Sequence, residues 1–141
     1  MKILIGVDGS DPSTRAVEWC ADHAAALGAE VVAVHAIEMP VIVPPPTPGF
    51  SLPQFTPVDR DELTREITEK WCAPLTAASV PFRVVLVDGA APLTIMQVAQ
   101  AEDADLVVTG RRGRGGFAEL LLGSTSHALS LHLHRPLLIV P

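Results

Sequence analysis

Residues 110–125 read GRRGRGGFAELLLGST, and the rest of the chain is organised around this stretch. Directly before it, residues 104–109 (ADLVVT) form a short, valine-rich apolar run that is typical of a buried strand. At its end, residues 124–131 (STSHALSL) open with hydroxyl side chains of the kind that cap a helix. The segment therefore predicts a strand, a glycine loop, a short connector and the start of a helix, with Ser124 at the helix cap.

The residue types in this loop favour a phosphate site. Glycines let backbone N–H groups turn toward an anion, and a helix N-terminus adds free donors and partial positive charge. Arg111, Arg112 and Arg114 supply forked cationic donors that suit phosphate. A surface loop with solvated arginines is the simpler alternative and stays open. Since no lysine follows the glycines, the loop is not a Walker A motif, and it does not open a helix after the first strand as a dinucleotide fingerprint would.

The glycine spacing carries a family resemblance. Gly110-x2-Gly113-x9-Gly123-Ser124 resembles the nucleotide-binding signature of the universal stress protein family, and the likeness extends from KILIGVDGS at the start to RPLLIVP at the end. The resemblance implies one domain over residues 1–141. It also implies an open, parallel five-stranded sheet of order 3-2-1-4-5 with helices on both faces, a Rossmann-like α/β fold of the adenine-nucleotide alpha hydrolase type.

Hydrophobic periodicity predicts the same fold class without the resemblance. Apolar runs at residues 2–7, 30–37 and 82–87 alternate with helical patterns, which is typical of an α/β layered domain. Ser10 or Asp11 is expected to cap the first helix. Thr56 and Pro57 are expected to start the second helix, and Pro74 is expected to end or kink it near residue 73.

Two further residues join the predicted site. Asp8 follows the first strand, where it could either bind the N–H groups of the helix entry or face a ligand at the carboxyl edge of the sheet. The resemblance implies that Asp8 faces a ribose hydroxyl or a metal, and that the backbone of Ala36 meets adenine. The implied ligand is ATP with Mg²⁺, and the predicted nucleotide-binding residues are Asp8, Ala36, Gly110, Arg111, Arg112, Gly113, Gly123, Ser124 and Thr125.

Composition excludes several classes of protein. The chain has 141 residues, 48% of them hydrophobic, and a formal net charge of −6. An acidic protein is a poor partner for nucleic acid, which needs a basic face. No stretch is long and apolar enough to span a membrane, and no signal peptide is recognisable, so a cytoplasmic protein is expected.

Cysteine, histidine and aromatic residues point to no further chemistry. Cys20 and Cys72 are expected to be reduced, buried thiols rather than a disulfide. The five histidines are expected on the surface or in the core rather than at a metal. A flavin-binding function would be supported by the fold alone. The chain has few aromatic side chains to stack on a flavin ring, because it has no tyrosine and its two tryptophans are at helical positions.

Two segments bear on assembly and access. Residues 38–57 hold seven of the 13 prolines and are expected to be extended, either as a connector or as a lid over the sheet edge. The last strand is short, apolar and limited by prolines, as expected at an edge. The resemblance implies that Leu137–Val140 pairs across a two-fold axis to form a homodimer.

Two functional hypotheses remain. The first is a nucleotide-dependent regulatory protein of the stress response, in which bound ATP sets conformation or partner choice. The second is an enzyme that slowly hydrolyses ATP or transfers a phosphoryl group at the same site. Fast phosphoryl transfer needs a positioned base or lysine. Glu119 is the sole candidate base in or beside the loop, and it is expected to be a solvated residue, because the loop spacing places it on a connector with no evident orienting partner. The sequence therefore favours ATP that is held rather than turned over.

Overall fold

The computed structural model describes residues 1–39, 56–113 and 122–141. Within these residues, five parallel strands form one sheet of order β3-β2-β1-β4-β5, which confirms the predicted topology. The strands are β1 (Lys2–Gly6), β2 (Glu30–Ile37), β3 (Phe82–Asp88), β4 (Leu106–Gly110) and β5 (Leu137–Val140). The segments that join them carry α1 (Asp11–His23), α2 (Arg60–Glu66), a π-helical turn (Ile67–Trp71), α3 (Ala73–Ala77), α4 (Ala91–Ala101) and α5 (Ser124–His132).

Helices cover both faces of the sheet, and β1 lies at its centre. Ile3 and Ile5 are fully buried in the core on the side of α1 and α3, while Leu4 is fully buried on the other side with Ile95 of α4 and Leu129 of α5. Side chains of a strand alternate between the two faces of a sheet, so a strand covered on both sides must be apolar throughout. This requirement explains the almost wholly apolar run at residues 2–7.

The first helix begins as predicted and the second does not. Ser10 caps α1, with its side chain accepting a hydrogen bond from the Ser13 N–H. The prediction that Thr56 and Pro57 start the second helix is wrong, because Asp59 is the cap and α2 begins at Arg60. The Asp59 carboxylate accepts hydrogen bonds of 3.0 Å from two first-turn N–H groups, and a single side chain that satisfies two such donors sets the start of a helix.

The predicted break near residue 73 is confirmed. A π-helical turn precedes it and closes with a 2.8 Å hydrogen bond from Cys72 N to Ile67 O, and α3 resumes at Ala73. Pro74 has no N–H to donate to the carbonyl four residues earlier, so the α-helical ladder cannot continue through it.

The cysteines and the lengths of the helices bear on two further predictions. Cys20 and Cys72 are free, buried thiols, as predicted. In the described ranges, no helix has the length and apolar character needed to cross a bilayer. Most of the proline-rich segment (residues 40–55), and also Arg114 and Glu119, lie outside the described residues.

Candidate functional site

The carboxyl ends of β1, β2 and β4 meet at one edge of the sheet and enclose a cavity of about 650 Å³. Its walls come from the residues that follow β1 and β4, from the end of β2, and from parts of α2, α4 and α5. Strand order reverses between β1 and β4, and open α/β sheets bind ligands where it does so.

Most of the predicted site residues line this cavity. They are Asp8, Ala36, Gly110, Arg112, Gly113, Gly123, Ser124 and Thr125. Arg111 is not among the lining residues. Its N–H donates to Val140 O at 2.7 Å, and its carbonyl accepts from Gly123 N at 2.8 Å and from Ser126 Oγ at 2.7 Å. The main chain of Arg111 therefore ties the end of β5 to the start of α5.

The three glycines of the signature lie where other parts of the chain approach closely. A Cβ atom on Gly110 would lie 2.6 Å from the backbone carbon of Pro12 in α1, and one on Gly113 would lie 2.6 Å from Asp8 Oδ2. A Cβ atom on Gly123 would lie 3.1 Å from the Cα atom of Arg112. Each glycine lets a different part of the chain approach, which brings α1, Asp8 and the two ends of the loop together at one place.

Asp8 both closes the turn after β1 and lines the cavity. Its Oδ1 atom accepts hydrogen bonds from Ser10 N at 2.9 Å and from Ser10 Oγ at 2.6 Å. Its Oδ2 atom lies beside Gly113, which also lines the cavity. The geometry is compatible with both roles considered for Asp8, at the helix entry and toward a ligand. One carboxylate oxygen binds within the turn, and the other lies toward the glycine loop.

Helix α5 presents its N-terminus to the cavity without a side-chain cap. The prediction that Ser124 is the capping residue is wrong, because Gly123 occupies the cap position with φ −71° and ψ 165°. The hydroxyl nearest to that role is on Ser126, which donates to the carbonyls of Arg111 and Gly123 instead. The first N–H groups of a helix have no intrahelical partner, so the start of α5 is a place in the cavity wall that suits an anion.

The N-terminus of α4 is different, because the chain supplies its own carboxylate there. Glu38 Oε1 accepts a 2.8 Å hydrogen bond from Ala91 N, the first residue of α4. Both residues line the cavity. Sequence reasoning missed Glu38, whose only signal is its position directly after β2. A carboxylate at this end of the cavity makes it less suitable for an anion than the α5 end.

His35 is a second residue that sequence reasoning missed. Expected only as a surface or core histidine, it is half-buried and lines the cavity, with Nδ1 2.7 Å from Val7 O. Its ring meets Trp71 edge to face, with 5.2 Å between ring centroids and an interplanar angle of 74°. The sequence gives no signal for this contact beyond the position of His35 beside Ala36.

Apolar side chains complete the wall of the cavity. The apolar lining includes Val34, Ile37, Val58, Leu63 and Ile95. No three His, Cys, Asp or Glu side chains within the described ranges lie together as a metal cage would require. The cavity thus has an apolar part bordered by β2, α2 and α4, and a polar part at Asp8, Gly113 and α5.

The sequence was compared with protein-family models and with characterised proteins. The model of the universal stress protein family matches residues 1–141. The chain belongs to the universal stress protein family. A universal stress protein of Thermus aquaticus is 36% identical over 98% of this chain and 96% of its own length. A Mycobacterium tuberculosis family member is also 36% identical over 98% of this chain, which spans 44% of that protein's length.

Solved structures of universal stress proteins share the fold. One determined in complex with cAMP is 26% identical and has a TM-score of 0.70, covering 100% of this chain and 96% of its own. Another from Archaeoglobus fulgidus, in complex with dAMP, is 21% identical with a TM-score of 0.68, covering 100% and 98% of the two chains. This chain is therefore similar in fold to family members that were solved with adenine nucleotides.

Proposed function

We propose that this universal stress protein binds an adenine nucleotide, ATP with Mg²⁺, in the cavity at the carboxyl edge of β1, β2 and β4, and that occupancy regulates its conformation or its partners. One observation carries the proposal. The glycine signature, Asp8, Ala36 and the uncapped start of α5 converge on a single cavity, although they are scattered from residue 8 to residue 125.

The phosphates are assigned to the α5 end. The first-turn N–H groups, which lack partners within the helix, and the helix dipole favour an anion there, and Arg112 lines the same cavity. A side chain at position 113 or 123 would stand in the space between the loop backbone and Asp8 or Arg112. Glycine at position 113 therefore leaves room for phosphate oxygens beside the loop backbone, and glycine at position 123 lets the two ends of the loop pack together.

The base is assigned to the β2 end. Ala36 is the second-to-last residue of β2, and the apolar side chains that line this part of the cavity suit a planar ring. Its peptide group offers one donor and one acceptor, and the Watson–Crick edge of adenine presents the complementary pair. The family members solved with cAMP and dAMP support an adenine ligand.

The donor set fits Mg²⁺ as well as the nucleotide. Mg²⁺ usually takes one or two carboxylates together with substrate phosphates and keeps several waters. Asp8 Oδ2 lies beside Gly113 in the loop to which the phosphates are assigned. Ser124, which carries a hydroxyl, lines the same cavity at the start of α5. When bound, the metal would neutralise phosphate charge, and Asp8 would hold it.

Regulation is favoured over rapid turnover. Asp8 and Glu38 line the cavity, but Asp8 is engaged by Ser10 and Glu38 by the start of α4. His35 lines it too, with Nδ1 engaged by Val7. A base aligned with the γ-phosphate is what rapid hydrolysis needs. Slow hydrolysis at the same site is the alternative function, and one universal stress protein domain over residues 1–141 would serve either.

Isothermal titration calorimetry tests the proposal. Mg-ATP should bind the purified protein at one site per chain with a Kd of roughly 1–100 µM. Gly113→Ala should abolish the heat of binding, whereas Ala25→Val, which adds bulk to an exposed residue outside the cavity, should leave it unchanged. Absence of binding to the unmodified protein at millimolar ATP would refute the proposed function.

A further inference from the structure

The ladder between β1 and β2 ends in an unusual way beside the cavity. The strands pair in register up to Gly6 and Val34, and Val7 N then donates to Val34 O at 2.9 Å. In a parallel ladder, the next hydrogen bond would run from Ala36 N to Val7 O. Among the described residues, that hydrogen bond is not formed.

The imidazole of His35 takes the place of the missing donor. Its Nδ1 atom lies 2.7 Å from Val7 O. A carbonyl oxygen can only accept, so Nδ1 carries the proton in this arrangement. Val7 is only 3% exposed, and a buried carbonyl is costly to leave without a partner. The His35 side chain thus donates to the Val7 carbonyl, which would otherwise accept a hydrogen bond from the backbone of β2.

The ring is held from outside the sheet. Trp71 contacts His35 edge to face, and it is the last residue of the π-helical turn. π-helical turns within helices occur often at functional sites. Sheet and helical segment together therefore fix the direction of the Nδ1–H bond.

We propose that His35 is a positioning residue: by engaging the Val7 carbonyl, it frees the Ala36 peptide N–H to hydrogen-bond the base of the bound nucleotide. This inference rests on the proposed function. In a parallel strand, the N–H and C=O of one residue point to the same side, so the Ala36 peptide faces the space beyond the end of β1. The same bond anchors Val7, the residue before Asp8, and so links base recognition to the carboxylate at the other end of the site.

Amide hydrogen exchange on the nucleotide-free protein tests whether His35, rather than the Ala36 N–H, donates to the Val7 carbonyl. The Ala36 amide should exchange at least about tenfold faster than the Val34 amide, which pairs within the ladder. His35→Leu keeps the apolar contact but removes the donor, so the Val7 carbonyl should accept from Ala36 and slow its exchange. His35→Asn should resemble the unmodified protein, because the Asn amide can donate from nearly the position of Nδ1. Equal protection of the Ala36 and Val34 amides in the unmodified protein would overturn the inference.

Binding measurements test the consequence for the ligand. ATP affinity should fall about tenfold in His35→Leu, as expected for one hydrogen bond, and stay within about twofold in His35→Asn. Inorganic tripolyphosphate, which has no base, should bind all three proteins equally. Parallel losses of ATP and tripolyphosphate affinity would assign His35 a general structural role and overturn the inference. If the unmodified protein binds neither ligand, the proposed function fails, and this inference fails with it even where the exchange result stands.

Discussion

The carboxylate of Asp8 lies directly beside Gly113, so that a Cβ atom on Gly113 would stand 2.6 Å from Asp8 Oδ2. Asp8 follows the first strand and Gly113 the fourth, and the two meet because β1 and β4 are neighbours in the sheet. Any side chain at position 113 must displace the carboxylate. The glycine therefore controls the direction of an acidic group that lines the cavity.

Gly110 and Gly113 should respond differently to the same substitution. Gly113→Ala meets the end of a side chain that can turn away, so it should leave stability nearly unchanged and remove ATP binding. Gly110→Ala meets the backbone of Pro12 at 2.6–2.7 Å, and overpacking against backbone should cost about 1–3 kcal/mol of unfolding free energy. Urea denaturation of both variants measures the difference. A Gly110→Ala variant as stable as the unmodified protein would contradict the packing role assigned to this glycine.

Alkaline pH should destabilise the protein through its two cysteines. Burial, with a smaller contribution from the charge on Cys72, raises the pKa of Cys20 from 9.0 to about 12. Burial also raises the pKa of Cys72 from 9.0 to about 11. The unfolded chain therefore releases these protons first, so stability is complete below pH 9 and is lost as the pH rises toward 11–12. At pH 10.5 the loss should be about 2 kcal/mol for each thiol.

Denaturant unfolding at pH 8 and pH 10.5 measures this loss. The chain contains no tyrosine and two lysines, so few other groups titrate in the interval. Cys20→Ala with Cys72→Ala should be less stable at pH 8 but should lose much less stability between the two pH values. An identical decline in the double variant would show that other groups cause it.

We expect a homodimer formed through β5. Its edge beyond β4 has no strand partner in the described chain, and such an edge favours pairing with a second copy. Leu138 and Val140 pack against one core cluster and Leu137 against the other, whereas Ile139 is a member of neither described cluster. Ile139→Asp should therefore place a charge in the interface without breaking the core, and shift the mass toward monomer in light scattering. Leu131→Asp, at a side chain on α5 that is 63% exposed, is the matched control. A monomeric unmodified protein at high micromolar concentration would end this prediction.

ATP should be retained through many minutes. The acidic and histidine side chains that line the described cavity already bind main-chain or side-chain groups of the protein. Chromatography of a Mg-ATP incubation should show ADP forming far more slowly than about 1 s⁻¹, a rate common among enzymes. Turnover at or above that rate, lost in Glu119→Gln, would favour the enzyme hypothesis.

The strands could be predicted from sequence because buried parallel strands must be apolar on both faces. Residues 30–37 were predicted as a strand, and β2 has these bounds. Helix starts were harder to predict where two capping residues compete. Thr56 with Pro57 makes an acceptable start, but Asp59 satisfies two N–H groups and determines where α2 begins.

The site could be predicted where its residues form a spaced motif, and not where they meet only in three dimensions. The spacing of Gly110, Gly113 and Gly123 is visible in one dimension. Glu38 and His35 have no motif, since the first is defined by a contact with Ala91 and the second by a contact with Val7. The cap of α5 was misassigned because Ser124 matches the composition of a cap, whereas the backbone reaches the extended conformation one residue earlier.

Titration of isotope-labelled protein with Mg-ATP, followed residue by residue through its amide resonances, tests the central claim most directly. The amides of Ala36, Gly113 and Ser124 should shift together and saturate with one dissociation constant, while that of Ala101 on the far end of α4 stays unchanged. Lack of saturable shifts at these three positions up to millimolar ATP, or shifts confined to the opposite edge of the sheet near Glu30 and Asp105, would contradict a nucleotide site at the carboxyl ends of β1, β2 and β4.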